Sequence, residues 1–328
     1  MRSILRQNAP GVLERIEWRK VASYRARSLP SRLRQGSRLI HQALSTGERV
    51  LFTSISRALL LQLKRSMRRK DLVCTIFHGD LELIGKPSTE RFPQSLFSLR
   101  RILLRPHPAG LRYFVLGQSI LDSIPPDFHR AMASTGAIDH PYHVLPIQPV
   151  APSPPVFGVL GNTGDGRLLE QVARQVKAVN PEVRFRLIGF LQDVETVARL
   201  RPLVEDAGSE PIPREIFAER ASRITHVLWL AAPGAYRLRA SGTFFDALAH
   251  AKPLVYTANP FIDQYVSDLP SIGIRCATPE EAAQAVLGIA ARQDAAAYTA
   301  SVEAIARLRL RFTPESLAER LPAALAWD

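Results

Sequence analysis

The chain has 328 residues, 46% hydrophobic and 22% charged, a composition that excludes a disordered polar chain and, at this length, favours two domains. Its net charge of +13 is one-sided: residues 1–150 hold 24 Lys and Arg against 10 Asp and Glu, and the remainder holds 19 against 20. An acidic partner is therefore expected for the first half only. No apolar run approaches the roughly 18–20 residues that span a bilayer, and no signal-peptide core opens the chain. Cys74 and Cys276 make neither a disulfide framework nor a metal cluster.

Residues 1–45 are basic and broken by Pro10, Pro30 and Gly36, with helical patterns over 11–24 and 31–44. From Arg49 the texture changes to a strand over 50–55, a helix over 57–69 and a strand over 72–77, the order of a parallel sheet. A helix over 94–104 and a strand over 112–116 follow. Six prolines, from Pro141 to Pro155, exclude regular structure and mark an interdomain linker, set at 146–155. A second series then begins: strand 156–160, helix 166–178, strand 183–188, helix 193–204, strand 226–230, helix 243–250 and strand 254–256. Four strands with intervening helices predict a doubly wound sheet. Thr278-Pro279-Glu280-Glu281 starts a helix over 279–290 with a Thr cap, and Thr313-Pro314-Glu315 repeats the device. The expected organisation is a basic helical segment (1–45), an N-terminal α/β domain (46–145), the linker, and a C-terminal α/β domain (156–328).

The residues that carry chemistry cluster at strand ends. Ser241-Gly242-Thr243 opens a short apolar helix whose free N–H groups and macrodipole attract a diphosphate, with Gly242 allowing close approach. Asp246 lies one turn further along, where a carboxylate accepts hydrogen bonds from ribose hydroxyls. A plain capped helix, Ser241 as N-cap and Asp246 solvated, has equal standing on this segment alone. Arg237 and Arg239, close to Ser241, suit a diphosphate better than Arg184 and Arg186, which alternate on one strand face. Gly161-Asn162-Thr163-Gly164-Asp165-Gly166 joins a strand to a helix, a phosphate or sugar contact or a structural turn; it is neither the dinucleotide fingerprint nor a P-loop. His78-Gly79-Asp80 ends a strand of the first domain, with Glu82 on the same side, where it faces the second domain across a cleft. Arg65-Ser66-Met67-Arg68-Arg69-Lys70, beside the apolar Ala58 to Leu63, supplies both terms of an anionic-membrane contact, or is a solvated helix end.

Together these features resemble a GT-B-fold glycosyltransferase, in the broad retaining superfamily of bacterial envelope-polysaccharide enzymes. The likeness is strongest over 156–290, moderate over 47–120 and absent before 45. It implies two Rossmann-like domains facing a cleft, the first trimmed or extended by the basic helical segment. It also implies a nucleotide-sugar donor, UDP- or GDP-linked, on the C-terminal domain. Asp246 matches the acid of the Glu-Ala-x-Ala-x-Gly-Lys-Pro segment that binds ribose. Ser241, Gly242 and Thr243 match the loop amides at the distal phosphates, and His78 the His-Gly that approaches the donor sugar. The upstream Glu that touches the donor sugar is Leu238 here, and the Gly before Lys-Pro is Ala251.

The implied reaction is transfer of a sugar to a glycan or lipid-linked acceptor with retention, without metal or cofactor; with inversion, Asp80 becomes the general base. The expected location is cytoplasmic, peripheral on the inner membrane face through the basic half. Two rivals stand beside it: a non-catalytic glycosyltransferase-like membrane-associated subunit, and a basic nucleic-acid binder. Sparse aromatics and the absence of a nucleic-acid module weigh against the last.

Overall fold

The computed structural model describes residues 29–85, 94–147, 154–162 and 166–324. The expected helix over 11–24, linker residues 148–153 and Thr163-Gly164-Asp165 lie outside the described residues. Two parallel sheets form. The first runs in the order β1 (Val50–Phe52), β2 (Val73–Phe77), β3 (Leu111–Val115), β4 (Thr135–Ala137). β2 and β3 are almost wholly buried, as central parallel strands with both faces covered must be. β4 was not anticipated: Thr-Gly-Ala carries no apolar signature. Gly136 is needed there because a methyl at its Cα would sit 2.9 Å from the Phe114 ring.

The helix expected over 31–44 is α1 (Leu29–Ser45), and it packs into the first domain against α2 (Arg57–Ser66). Ile40 is fully buried, and the Gln62 amide donates to Leu33 O at 2.7 Å and Ser37 Oγ at 3.1 Å. On α2, capped by Ser56, Leu59, Leu60, Leu61 and Leu63 all face the core. The apolar half of the expected membrane contact is thus inside the protein, whereas Arg65, Arg68, Arg69 and Lys70 are exposed. Lys64 is buried and donates to the carbonyls of Ile102, Leu103 and Arg105, closing the C-terminal end of α3 (Leu99–Leu103). Two short helices, α4 (Gln118–Asp122) and α5 (Pro126–His129), link β3 to β4.

The second sheet has five strands, not four, in the order β6 (Arg184–Phe190), β5 (Val156–Asn162), β7 (His226–Trp229), β8 (Leu254–Thr257), β9 (Gly273–Cys276). The chain reverses direction of growth at β5, which opens a crevice between the carboxyl ends of β5 and β7. α6 (Arg167–Val179), α7 (Val194–Leu200), α8 (Arg214–Ser222), α9 (Gly242–Ala249), α10 (Pro260–Val266), α11 (Pro279–Arg292), α12 (Ala295–Leu308) and α13 (Pro314–Ala324) flank it. Thr278 and Thr313 cap α11 and α13 as their sequences predict.

The domains are joined by polar contacts around the segment after β4. Asp139, buried, accepts from Arg311 Nε and Arg320 at 2.8 Å each and from Tyr265 OH at 3.0 Å. Tyr142 N donates to Phe312 O, and Arg309 bridges Leu145 O and Ala249 O. The last helix returns to the first domain, where Leu317 and Leu321 share a cavity with Leu51, Ile76 and Ile138.

Burial alone would raise the Asp139 carboxyl, but the two guanidiniums and the tyrosine outweigh it and hold it below the usual range. Its contribution is complete above the unfolded-state value and lost as pH falls through the folded one. Asp139→Ala leaves cations and a phenol without their acceptor, and denaturant unfolding is expected to show a loss of about 2–4 kcal/mol. A second pH effect comes from His226 and His250, which burial, aided by the Lys252 charge, holds down to about 4 against an ordinary 6.5. Both take up protons on unfolding between those values, so stability is full above the higher one and declines as pH falls toward the lower. Unfolding free energies measured from about pH 7 to about pH 5 should fall steadily, and His226→Gln should flatten the slope.

Candidate functional site

The crevice is organised around the N-terminus of α9. Ser241 is fully buried: its hydroxyl accepts from Phe244 N at 3.3 Å and from Trp229 Nε1 at 2.8 Å. Thr243 Oγ1 donates to Leu160 O at 2.9 Å, which pins the helix to the end of β5. Both hydroxyls are therefore structural. What this turn presents to the crevice is main chain, the leading N–H groups of Gly242 and Thr243, which have no acceptor within the helix. Gly242 is exposed, and a methyl there would meet nothing within 4 Å. The macrodipole and these donors make the spot attractive to an anion.

Gly161, at the end of β5, adopts φ +80° in the left-handed region, close to the Thr243 hydroxyl. Asn162, Thr243, Tyr236 and Arg239 line one cavity of about 200 Å³. The loop leading into α9 is strained, with Tyr236 at φ +58°, a conformation found where a loop is held for binding. Arg239 lies with its guanidinium 4.0 Å over the Tyr236 ring, and its Nε is 3.9 Å from Glu82 of the first domain. Arg237 is exposed and lines a second cavity of about 580 Å³ with Glu82, Ser123, His129 and Leu238.

His78-Gly79-Asp80 faces this loop, as expected: a methyl on Gly79 would lie 4.0 Å from Arg239 Cδ. His78 Nε2 is 2.7 Å from Thr53 O; since a carbonyl only accepts, Nε2 carries a proton. The ring meets His140 edge-on at 5.9 Å. Asp80 is exposed at the start of a one-turn 3₁₀ segment, Asp80–Leu83.

Asp246 is not the solvated acid of the plain capped-helix reading. It is half-buried, and its Oδ1 accepts the Tyr142 hydroxyl from the interdomain segment. Burial holds the carboxyl above the ordinary range, against the opposing pulls of Tyr142 and Arg214. It lines its own cavity of about 340 Å³, with Tyr142, Ile212, Arg214, Phe217 and His250. Four residues at 1.5 Å each separate it from Gly242 by about 6 Å along the helix axis. Lys252 donates to Ser222 O at the end of α8 and is 2% exposed, a structural lysine. Ala251, in the place of the superfamily's glycine, adopts φ +51°. Arg184 and Arg186 pair with Glu205 and Asp206 on the outer strand and take no part in the crevice. Tyr142 and Arg214 were not anticipated; the first sits in a proline-rich stretch whose return onto α9 leaves no local pattern.

No family model matches the sequence, and no curated protein matches it. Solved structures do. S. aureus TarM, in complex with Fondaparinux, alpha-GlcNAc-glycerol and UDP, superposes with a TM-score of 0.60 at 11% identity, over 90% of this chain and 59% of that one. A glycosyltransferase from Rickettsia africae superposes at 0.58 with 12% identity, over 97% of this chain and 87% of that one. Sucrose-phosphate synthase from Thermosynechococcus elongatus superposes at 0.63 with 16% identity, over 94% and 84%. The chain thus spans well under two thirds of TarM and most of the other two. It has the GT-B glycosyltransferase fold, two parallel α/β sheets facing one crevice.

Proposed function

We propose that this protein is a glycosyltransferase that moves a sugar from a nucleoside diphosphate donor to a glycan or lipid-linked acceptor with retention of configuration. The observation that carries the reading is the N-terminus of α9. Gly242 is unobstructed, and the neighbouring Arg239 lies against the His78-Gly79 turn of the opposite domain. The diphosphate rests on the Gly242 and Thr243 amides, with Arg239 as its cation. The ribose reaches Asp246 one turn on, and the base enters between Ile212 and Phe217. UDP in the complex of the TarM G117R mutant supports a nucleotide donor, and the alpha-GlcNAc-glycerol in the same complex supports a hydroxyl acceptor.

As the anomeric carbon–oxygen bond breaks, negative charge grows on the leaving phosphate, where fixed amide dipoles and a guanidinium stabilise it without reorganisation. The departing phosphate takes the acceptor proton on the face from which the acceptor enters. His78, its Nε2–H held by Thr53 O, sets its turn against the sugar. The exposed cations Arg65, Arg68, Arg69 and Lys70 support a peripheral position at an anionic membrane, each adding on the order of 1 kcal/mol near the surface. Leu238 favours one other reading, a non-catalytic partner that keeps the nucleotide site.

Thermal unfolding with UDP, GDP, ADP and CMP tests the reading. A nucleoside diphosphate at a hundredfold its Kd should add about 2.7 kcal/mol. Asp246→Ala and Gly242→Val should abolish the shift, the second without loss of fold, because the site of its side chain is empty. No shift with any nucleotide in folded protein contradicts the proposal.

A further inference from the structure

The cavity beside Leu238 is lined by two carboxylates, Asp122 and Glu82. Glu82 enters from the 3₁₀ turn after His78-Gly79, and its side chain is 18% exposed. Its Oε1 is buried without a hydrogen-bond partner, and so is Nε of Arg239, which faces it at 3.9 Å. That separation exceeds a hydrogen bond. A buried carboxylate oxygen and a buried guanidinium N–H left short of contact are costly unless a third polar group comes between or beside them.

The surroundings say what that group is. Leu238 is 5% exposed and packs beneath the same turn, its Cδ1 3.5 Å from where a methyl on Gly85 would lie. The C-terminal domain thus contributes an apolar wall at this point, and Glu82, from the opposite domain, lies 3.9 Å from Arg239 Nε. Glu82 and Leu238 line the cavity of about 580 Å³ together with Asp122, Ser123, His129 and Arg237, and its volume falls in the size range of small-ligand sites, about 300–1,000 Å³. A carboxylate is an acceptor only, and its bonds from hydroxyl donors are charge-assisted. A polyhydroxylated ring supplies several such donors, whereas a phosphate supplies none and is repelled.

Resting on the nucleotide-sugar reading above, we propose that Glu82 receives hydroxyl groups of the donor's sugar, reaching across from the N-terminal domain where the C-terminal domain offers Leu238. Arg239 then serves two neighbours, the diphosphate and the Glu82 carboxylate, so the carboxylate is held in place between the sugar and the cation.

Calorimetric titration separates this role from support of Arg239. Wild type, Glu82→Ala and Glu82→Gln are each titrated with UDP, GDP and ADP and with UDP-glucose, GDP-mannose and ADP-glucose. For the nucleotide that binds, Glu82→Ala should weaken the sugar conjugate by about tenfold or more and leave the free diphosphate within about twofold. Glu82→Gln, which keeps an acceptor without the charge, should fall between. Equal weakening of conjugate and diphosphate overturns the proposal, because Glu82 then acts through Arg239 on the phosphates. No weakening of either also overturns it. A wild-type protein that binds none of the six overturns the nucleotide-sugar reading itself, and this proposal with it.

Discussion

The placement of α9 depends on the aromatic packing around Phe245. Its ring contacts His140 and Tyr142 from the interdomain segment at 5.2 and 5.3 Å, Phe261 of α10 at 6.0 Å, and Phe312 near the C-terminus at 5.1 Å. Phe244 stacks on Tyr265 behind it. Aromatic side chains bury large apolar areas and prefer such edge and offset contacts, so rotating α9 would break contacts with three separate segments at once. With the helix fixed, the Ser241 and Thr243 hydroxyls fall to internal partners, and the leading main-chain donors have no acceptor within the helix. The Asp139 network holds the same junction by charge, and Asp246 meets Tyr142 because the aromatic packing brings that segment over the helix.

Much of the fold was legible in the sequence, for physical reasons. Strands such as β2 and β3 are unbroken apolar runs, since a central parallel strand is covered on both sides, and helix starts at Thr278 and Thr313 carry their caps in the sequence. β4 and β9 were not legible. The first is three small residues selected by the space beside Phe114, and in the second Ile274 and Arg275 are exposed, which erases the buried-strand pattern. α10 and α12 were overlooked although Asn259-Pro260 and Asp294 cap them by the same device read elsewhere.

The site was legible by class of residue more than by role. A glycine at a helix start, Arg239 beside it and a His-Gly after an opposite strand lie near one another, whereas Arg237 lines a separate cavity. The divergence lies in contacts between residues far apart in sequence. Trp229 takes the Ser241 hydroxyl, Tyr142 takes Asp246 from 104 residues away, and Glu82 of the opposite domain lies 3.9 Å from Arg239. Local pattern carries no record of such pairs. The basic first half shows the same limit: its apolar leucines read as a membrane face, yet they fill the core, and only the arginines and a lysine beyond them remain outside.

A crystal structure with the best-binding nucleoside diphosphate tests the central claim most directly, because that claim is positional. The two phosphates should lie on the Gly242 and Thr243 amides within reach of Arg239, with the ribose beside Asp246. A nucleotide bound elsewhere, with the α9 N-terminus left to solvent, would contradict it.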